Sequence, residues 1–150
     1  MTWLVFMIAC GGSSTSRSTI PGSCLDPLAD AKQRLAGQGE GEIAIEASPD
    51  LDGDGTADVA VPFGLGMTMH TLLYVTRGSC GHFVGDVGGP PKVEVKRTRG
   101  LSDLVVPEVS SCEGARCGCE PGEHHFVFDG TAYQLDKSRA KESSEKPCAD

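Results

Sequence analysis

Nine residues, Asp50-Leu51-Asp52-Gly53-Asp54-Gly55-Thr56-Ala57-Asp58, carry the one definite chemistry in the chain. Their carboxylates fall at loop positions 1, 3, 5 and 9, with glycines at 4 and 6. A hard divalent cation takes about six to eight oxygens at about 2.3–2.6 Å, and this spacing lets one short loop supply most of them. The glycines let the backbone turn around an ion without a Cβ clash. Four carboxylates held this close repel one another unless a cation sits among them. The spacing therefore predicts a calcium loop. It is not an EF-hand, because position 12 of such a loop needs a bidentate glutamate and Val61 stands there.

Other candidate chemistry is weaker. Cys117-Gly-Cys119 with His124-His125 could be drawn as a zinc site, but the cysteines are closer together than zinc ligands usually are. Disulfide cysteines beside surface histidines account for them better in an exported chain. His70 and His82 fall on expected strands, as packing or surface residues. No Gly-x-Ser-x-Gly elbow occurs. Glu108 and Glu113 read as loop acids, and Gly64-Leu65-Gly66 as a turn. With no catalytic constellation, the expectation is a protein that is not an enzyme.

The elements that must position the loop read as strands. Glu42 to Glu46 alternates polar and apolar, as a half-buried strand does. After the loop, Asp58 to Val61 reads as a strand stopped by Pro62. Thr68 to Thr76 is rich in β-formers, and Arg77 to Gly81 reads as a turn into a hairpin partner at His82-Phe83-Val84. Val93 to Lys96 and Leu104 to Val106 are further strands around Arg99-Gly100. A cysteine-rich loop covers roughly 111 to 123. His125 to Phe128, Asp129-Gly130 and Thr131 to Tyr133 read as a tight two-residue hairpin. Ahead of all these, Leu28, Ala31 and Leu35 have helical spacing, with Asp26 as N-cap and Gly37 as stop. From Lys137 onward the charged tail is expected to be loose except near Cys148. The sequence thus predicts a mainly β fold, a small antiparallel β domain built from hairpins with one short N-terminal helix. One echo stands out: Gly55-Thr-Ala-Asp58-Val-Ala-Val61-Pro62 recurs as Gly100-Leu-Ser-Asp103-Leu-Val-Val106-Pro107 without the preceding acids. A repeat and a chance likeness of two short strands weigh equally.

The 150 residues are enough for one domain with one core. Thirteen Lys and Arg against 21 Asp and Glu give a net charge of −8, with no basic stripe. That balance argues against nucleic acid as a partner, since phosphate neutralisation dominates such binding. Apart from Cys10 there are Cys24, Cys80, Cys112, Cys117, Cys119 and Cys148, an even set that suits disulfides in an oxidising compartment. Cys112, Cys117 and Cys119 could pair among themselves or reach Cys24, Cys80 and Cys148, and the pairing stays open.

The apolar run of residues 1–9 ends in Ile8-Ala9-Cys10-Gly11, and a Gly/Ser/Thr stretch follows. This resembles a bacterial lipoprotein signal, which implies lipidation at Cys10, a flexible tether over 10–23 and a membrane-anchored place in the cell envelope. The expected organisation is a signal segment at 1–9, the tether, a β domain over 24–137 and a charged tail at 138–150. Ser48-Pro49-Asp50 through Asp58-Val59-Ala60-Val61 resembles the core of an FG-GAP or VCBS repeat, the calcium-loop unit of integrin-like propellers. The resemblance implies side-chain oxygens from Asp50, Asp52, Asp54 and Asp58, the backbone carbonyl of Thr56, and a propeller-blade-like unit. A propeller typically needs at least four blades, so one good loop in this length implies a stand-alone domain that uses the unit. By the same analogy the domain would bind a protein or glycan at the cell surface. An accessory envelope protein with a purely structural ion, or a hydrolase with dispersed residues, are the alternative expectations.

Overall fold

A computed structural model describes residues 20, 22–37, 43–65, 68–108 and 119–145. One helix, α1 (Pro27–Arg34), precedes ten strands: β1 (Glu46–Ser48), β2 (Asp58–Leu65), β3 (Thr68–Arg77), β4 (Cys80–Gly88), β5 (Lys92–Thr98), β6 (Leu101–Glu108), β7 (Cys119–Glu120), β8 (Gly122–Phe128), β9 (Tyr133–Leu135) and β10 (Ser144–Glu145). They form two four-stranded antiparallel sheets, ordered β1-β2-β3-β4 and β5-β6-β8-β9, and a small β7–β10 pair. The fold is mainly β, as the sequence predicts.

The first sheet is buried on both faces, and its central strand shows why. Leu72, Leu73, Tyr74 and Val75 of β3 are all buried, although successive side chains point to opposite faces. Leu73 and Val75 join Leu51, Val84 and Val87 against Leu101, Leu104, Val106, Phe128 and Tyr133 of the second sheet's side. Leu72 and Tyr74 join Val61 against Ala31 of α1. A strand covered by a sheet on one side and a helix on the other has no use for polar alternation. The helix starts where Asp26 accepts the N–H groups of Leu28 (2.9 Å) and Ala29 (3.0 Å), with Pro27 in the first turn. It is held flat on the sheet by Tyr74, whose hydroxyl donates to Asp30 at 2.9 Å, and by Arg34, whose guanidinium lies 3.7 Å from the Phe83 ring centre.

Four local expectations are corrected. Of the strand expected at Glu42 to Glu46, Glu42 lies outside the described residues and Ile43 to Ile45 are not strand. Instead β1 forms at Glu46–Ser48, because its pairing is set by the loop it closes: Ser48 lies opposite Asp58 and Glu46 opposite Ala60. Pro62 does not stop β2, which continues to Leu65. Pairing with β1 has ended at Ala60, so a residue that cannot donate is tolerated there on a locally open edge. The hairpin at Asp129-Gly130 is a four-residue loop: Asp129 accepts the N–H groups of Thr131 (2.7 Å) and Ala132 (2.9 Å), and β9 starts only at Tyr133. The tail is not loose through residue 145. Lys141 and Glu123 exchange two backbone bonds, β10 pairs with β7, and Arg139 reaches carboxylates on the second sheet. At Arg99-Gly100 the chain makes a two-residue turn, with φ of 52° and 93° in succession between Thr98 and Leu101.

Candidate metal centre

The acidic loop spans residues 49–57 between β1 and β2, and Leu51 decides where it sits. This side chain is fully buried in the core between the sheets, and its carbonyl accepts the Ser102 N–H at 2.8 Å. An apolar residue between two aspartates thus plugs the loop into the core and turns Asp50 and Asp52 toward Asp58 at the start of β2. One ligand oxygen from each of Asp50, Asp52 and Asp58 lies within 4.8 Å of the others. Two oxygens on opposite sides of one ion at 2.3–2.6 Å lie up to about 5 Å apart, so the three can share a cation.

Each carboxylate is held differently. Asp58 is 2 % exposed, and it accepts the N–H of Leu51 and the N–H of Thr76, both at 2.7 Å. Burial pushes its carboxyl up to about 6, and repulsion from Asp52 and Asp50 adds to this against the two amides. Asp50 accepts the N–H groups of Gly53 (2.5 Å), Asp54 (3.2 Å) and Gly55 (2.8 Å). Burial alone would raise Asp50, but these amides and the positive charge of Arg97 outweigh it and hold the carboxyl below its ordinary range. Asp52 accepts the Asp54 N–H at 3.2 Å on Oδ1, and Arg77 donates to Oδ2 at 3.0 and 3.3 Å. Arg97 donates to the Asp52 carbonyl at 2.6 Å. Gly53, with φ of 74°, lies against that guanidinium so closely that an added Cβ would collide with it.

The donor set fits a hard cation. Each carboxylate offers about four lone-pair sites. Asp58 uses two of them on amides, so about two remain; Asp50 and Asp52 use three each, so about one remains on each. All the donors are oxygens, which suits calcium or magnesium better than a soft metal. Ser48, opposite Asp58 on the same face of the sheet, has a buried Oγ with no hydrogen-bond partner. A buried carboxyl raised by burial and by its acidic neighbours marks a place short of positive charge, and a buried hydroxyl without a partner leaves one more oxygen there to be satisfied.

The structure brings Asp50, Asp52 and Asp58 together. Asp54 stays outside that group, exposed, with its Oδ1 accepting the Thr56 N–H at 2.8 Å. Arg77 and Arg97 were not singled out as part of the site from sequence. They lie 25 and 45 residues from Asp52, and only the pairing of β3 and β5 with their neighbours brings them to it. Of the cysteines, Cys24 and Cys80 form a disulfide with a 4.9 Å Cα separation, which ties the segment before α1 to β4. Cys119 lies on β7, while Cys10, Cys112, Cys117 and Cys148 fall outside the described residues. His124 and His125 face carboxylates, Glu108 at 3.6 Å for the first and Glu94 and Glu123 at 3.7 and 3.9 Å for the second. Comparison with protein-family models, with curated proteins and with solved structures finds no match to this chain.

Proposed function

We propose that this chain is a non-enzymatic, membrane-anchored lipoprotein of the bacterial envelope. Its disulfide-bonded β domain is stabilised by calcium and serves as a surface binding module for a protein or glycan. The observation that supports it best is the convergence of three carboxylates, one of them buried and short of positive charge, on one oxygen-rich spot. Among hard cations, calcium tolerates the irregular, partly hydrogen-bonded donors present here, whereas magnesium demands near-ideal octahedral geometry. The site sits at the base of a hairpin and is pinned by Leu51, so the ion orders the loop and braces the two sheets against each other. Lipid attachment at Cys10 would hold the domain at a membrane through the stretch that follows it, which meets the core at Ile20.

Isothermal titration of calcium into the disulfide-intact protein tests the site. One binding event, lost in Asp50→Asn, is expected; no heat up to millimolar calcium overturns it. Detergent-dependent extraction of the full chain, abolished by Cys10→Ser, tests the anchor separately. Recovery of the unsubstituted full chain in the aqueous fraction would refute the anchor and leave the ion site standing.

A further inference from the structure

The two sheets are built to one plan. Each is a four-stranded antiparallel meander, and in each the second strand carries an aspartate followed four residues later by a proline: Asp58 and Pro62 in β2, Asp103 and Pro107 in β6. The registers agree. Val59 lies opposite Tyr74 and Pro62 opposite Thr71, while Leu104 lies opposite Phe126 and Pro107 opposite Glu123. Both prolines stand two residues past the last pairing with the strand before, Ala60 with Glu46 and Val105 with Lys92. The sheets are also stacked in the same sense. Ala60 packs into the core between the sheets, so Asp58 lies on the face turned to the second sheet. Leu104 and Val106 pack into that same core, so Asp103 lies on the second sheet's far face. Each aspartate therefore faces what comes next in the chain. For the loop of Asp58 that is β5 and its Arg97; for Asp103 it is the segment after β9 and its Arg139.

The connection into the second strand is where the units differ. Residues 49–57 lead into β2, but only Arg99-Gly100 lead into β6, so Asp103 has no loop of oxygens beside it. Yet it is fully buried. Its Oδ2 accepts Arg139 Nη1 at 2.8 Å and lies 3.4 Å from Lys96 Nζ; its Oδ1 accepts the Thr98 hydroxyl at 2.6 Å. The second guanidinium nitrogen of Arg139 binds Glu94 of β5. Glu94 is one residue beyond Val93, the partner of Leu104, much as Ser48 lies one beyond Ala47, the partner of Val59. The segment bearing Arg139 follows β9. It is fastened to the opposite edge of β8 by the Asp136 N–H on the His125 carbonyl at 2.7 Å and by the two bonds between Lys141 and Glu123. From there the side chain crosses β8 to reach β6 and β5. The free face of the first sheet is covered by α1 in a corresponding way.

We infer that the chain is an internal duplication whose second unit has exchanged a metal ion for the guanidinium of Arg139, and that residues 136–145 are the cap of its free face. Terminal units of a repeat need such caps, because their outer faces have no neighbour. The word exchange rests on the metal reading of the first site, but the cap does not. Arg139 acts by position: its planar fork spans Asp103 and Glu94 together, which a lysine cannot do with the same geometry.

The test is amide hydrogen exchange on the full, disulfide-intact chain. Arg139→Ala leaves a buried carboxylate with Lys96 and Thr98 alone, and exchange at residues 136–145 is expected to rise by about a hundredfold or more while β2 and β3 stay protected. Adding Asp103→Asn to it should recover a large part of the loss, because the buried charge that Lys96 and Thr98 only partly compensate is gone. Arg139→Lys, the variant to use if the alanine chain does not fold, should fall between. Exchange in Arg139→Ala within about threefold of the unsubstituted chain, or an additive double variant, overturns the inference. A calcium response retained in Arg139→Ala and lost in Asp50→Asn separates this cap from the ion site. A calcium response absent in all of them refutes the exchange.

Discussion

Replacing Asp52 with asparagine keeps the shape of the side chain and removes one of the three converging charges. Two consequences oppose each other when no ion is bound. The pairing with Arg77 is weakened, and Asp52 is almost fully buried while Arg77 is about three-tenths exposed, so about 1 kcal/mol or somewhat more is lost. Repulsion on Asp58, which contributes to its raised carboxyl, is relieved. The midpoint of the variant in chelator is thus a poor diagnostic, and its response to calcium is the useful quantity. Extracellular modules commonly bind calcium at about 10⁻⁴–10⁻³ M. At a free level ten times the dissociation constant, linkage stabilises the native state by about 1.4 kcal/mol. For a domain of this size, each kcal/mol moves the midpoint by roughly 2–5 °C, so a rise of about 3–7 °C is expected. The assay is thermal unfolding followed by circular dichroism, in millimolar calcium and in chelator, with the disulfide intact. Asp52→Asn should lose most of that rise. An equal rise in the variant would mean that calcium acts elsewhere, and no rise in the unsubstituted protein would reduce the loop to an acidic turn stapled by its own amides.

Two further outcomes follow from the geometry. Breaking the Cys24–Cys80 bond by Cys80→Ser opens a loop with a sequence separation of 56 and should destabilise the domain by about 4 kcal/mol on the chain-entropy account, read as a lower denaturation midpoint. Its calcium response should survive, since the ion loop lies on another hairpin. Asp129, whose carboxyl is lowered by the amides of Ala132 and Thr131, has a folded-state value below its ordinary 3.8. Its contribution is therefore present above that value and lost as the pH falls through the lowered one. Asp129→Asn should flatten the acid limb of a stability–pH curve below about pH 4; an unchanged limb would show that the loop amides do not distinguish the charged form.

How much of this was legible beforehand depends on the range of the interaction. Asp26 as a helix cap is decided within a few residues, and it formed as read. The acidic loop was legible as chemistry but not as geometry. Alternation of aspartates gives four equivalent candidates, and what separates them is Leu51, whose burial draws Asp50 and Asp52 inward while Asp54 stays in solvent. A leucine in an acidic loop looks like an interruption until the second sheet exists to receive it. Pro62 misled for a related reason. A proline interrupts a strand only where the neighbour on its nitrogen side needs an N–H, and the short reach of β1 is a property of the pairing, not of the sequence around Pro62. The charged tail misled most. Lys137 to Glu145 carries the composition of a solvated end, and nothing local reveals that Arg139 meets a buried aspartate 36 residues earlier. The echo between Asp58 and Asp103 held that information in part. A buried acid repeated without its ion loop is short of a counter-charge, and among the described residues the strand beside it and the segment after the last strand of the sheet supply one. Lys96 and Arg139 stand in those two places.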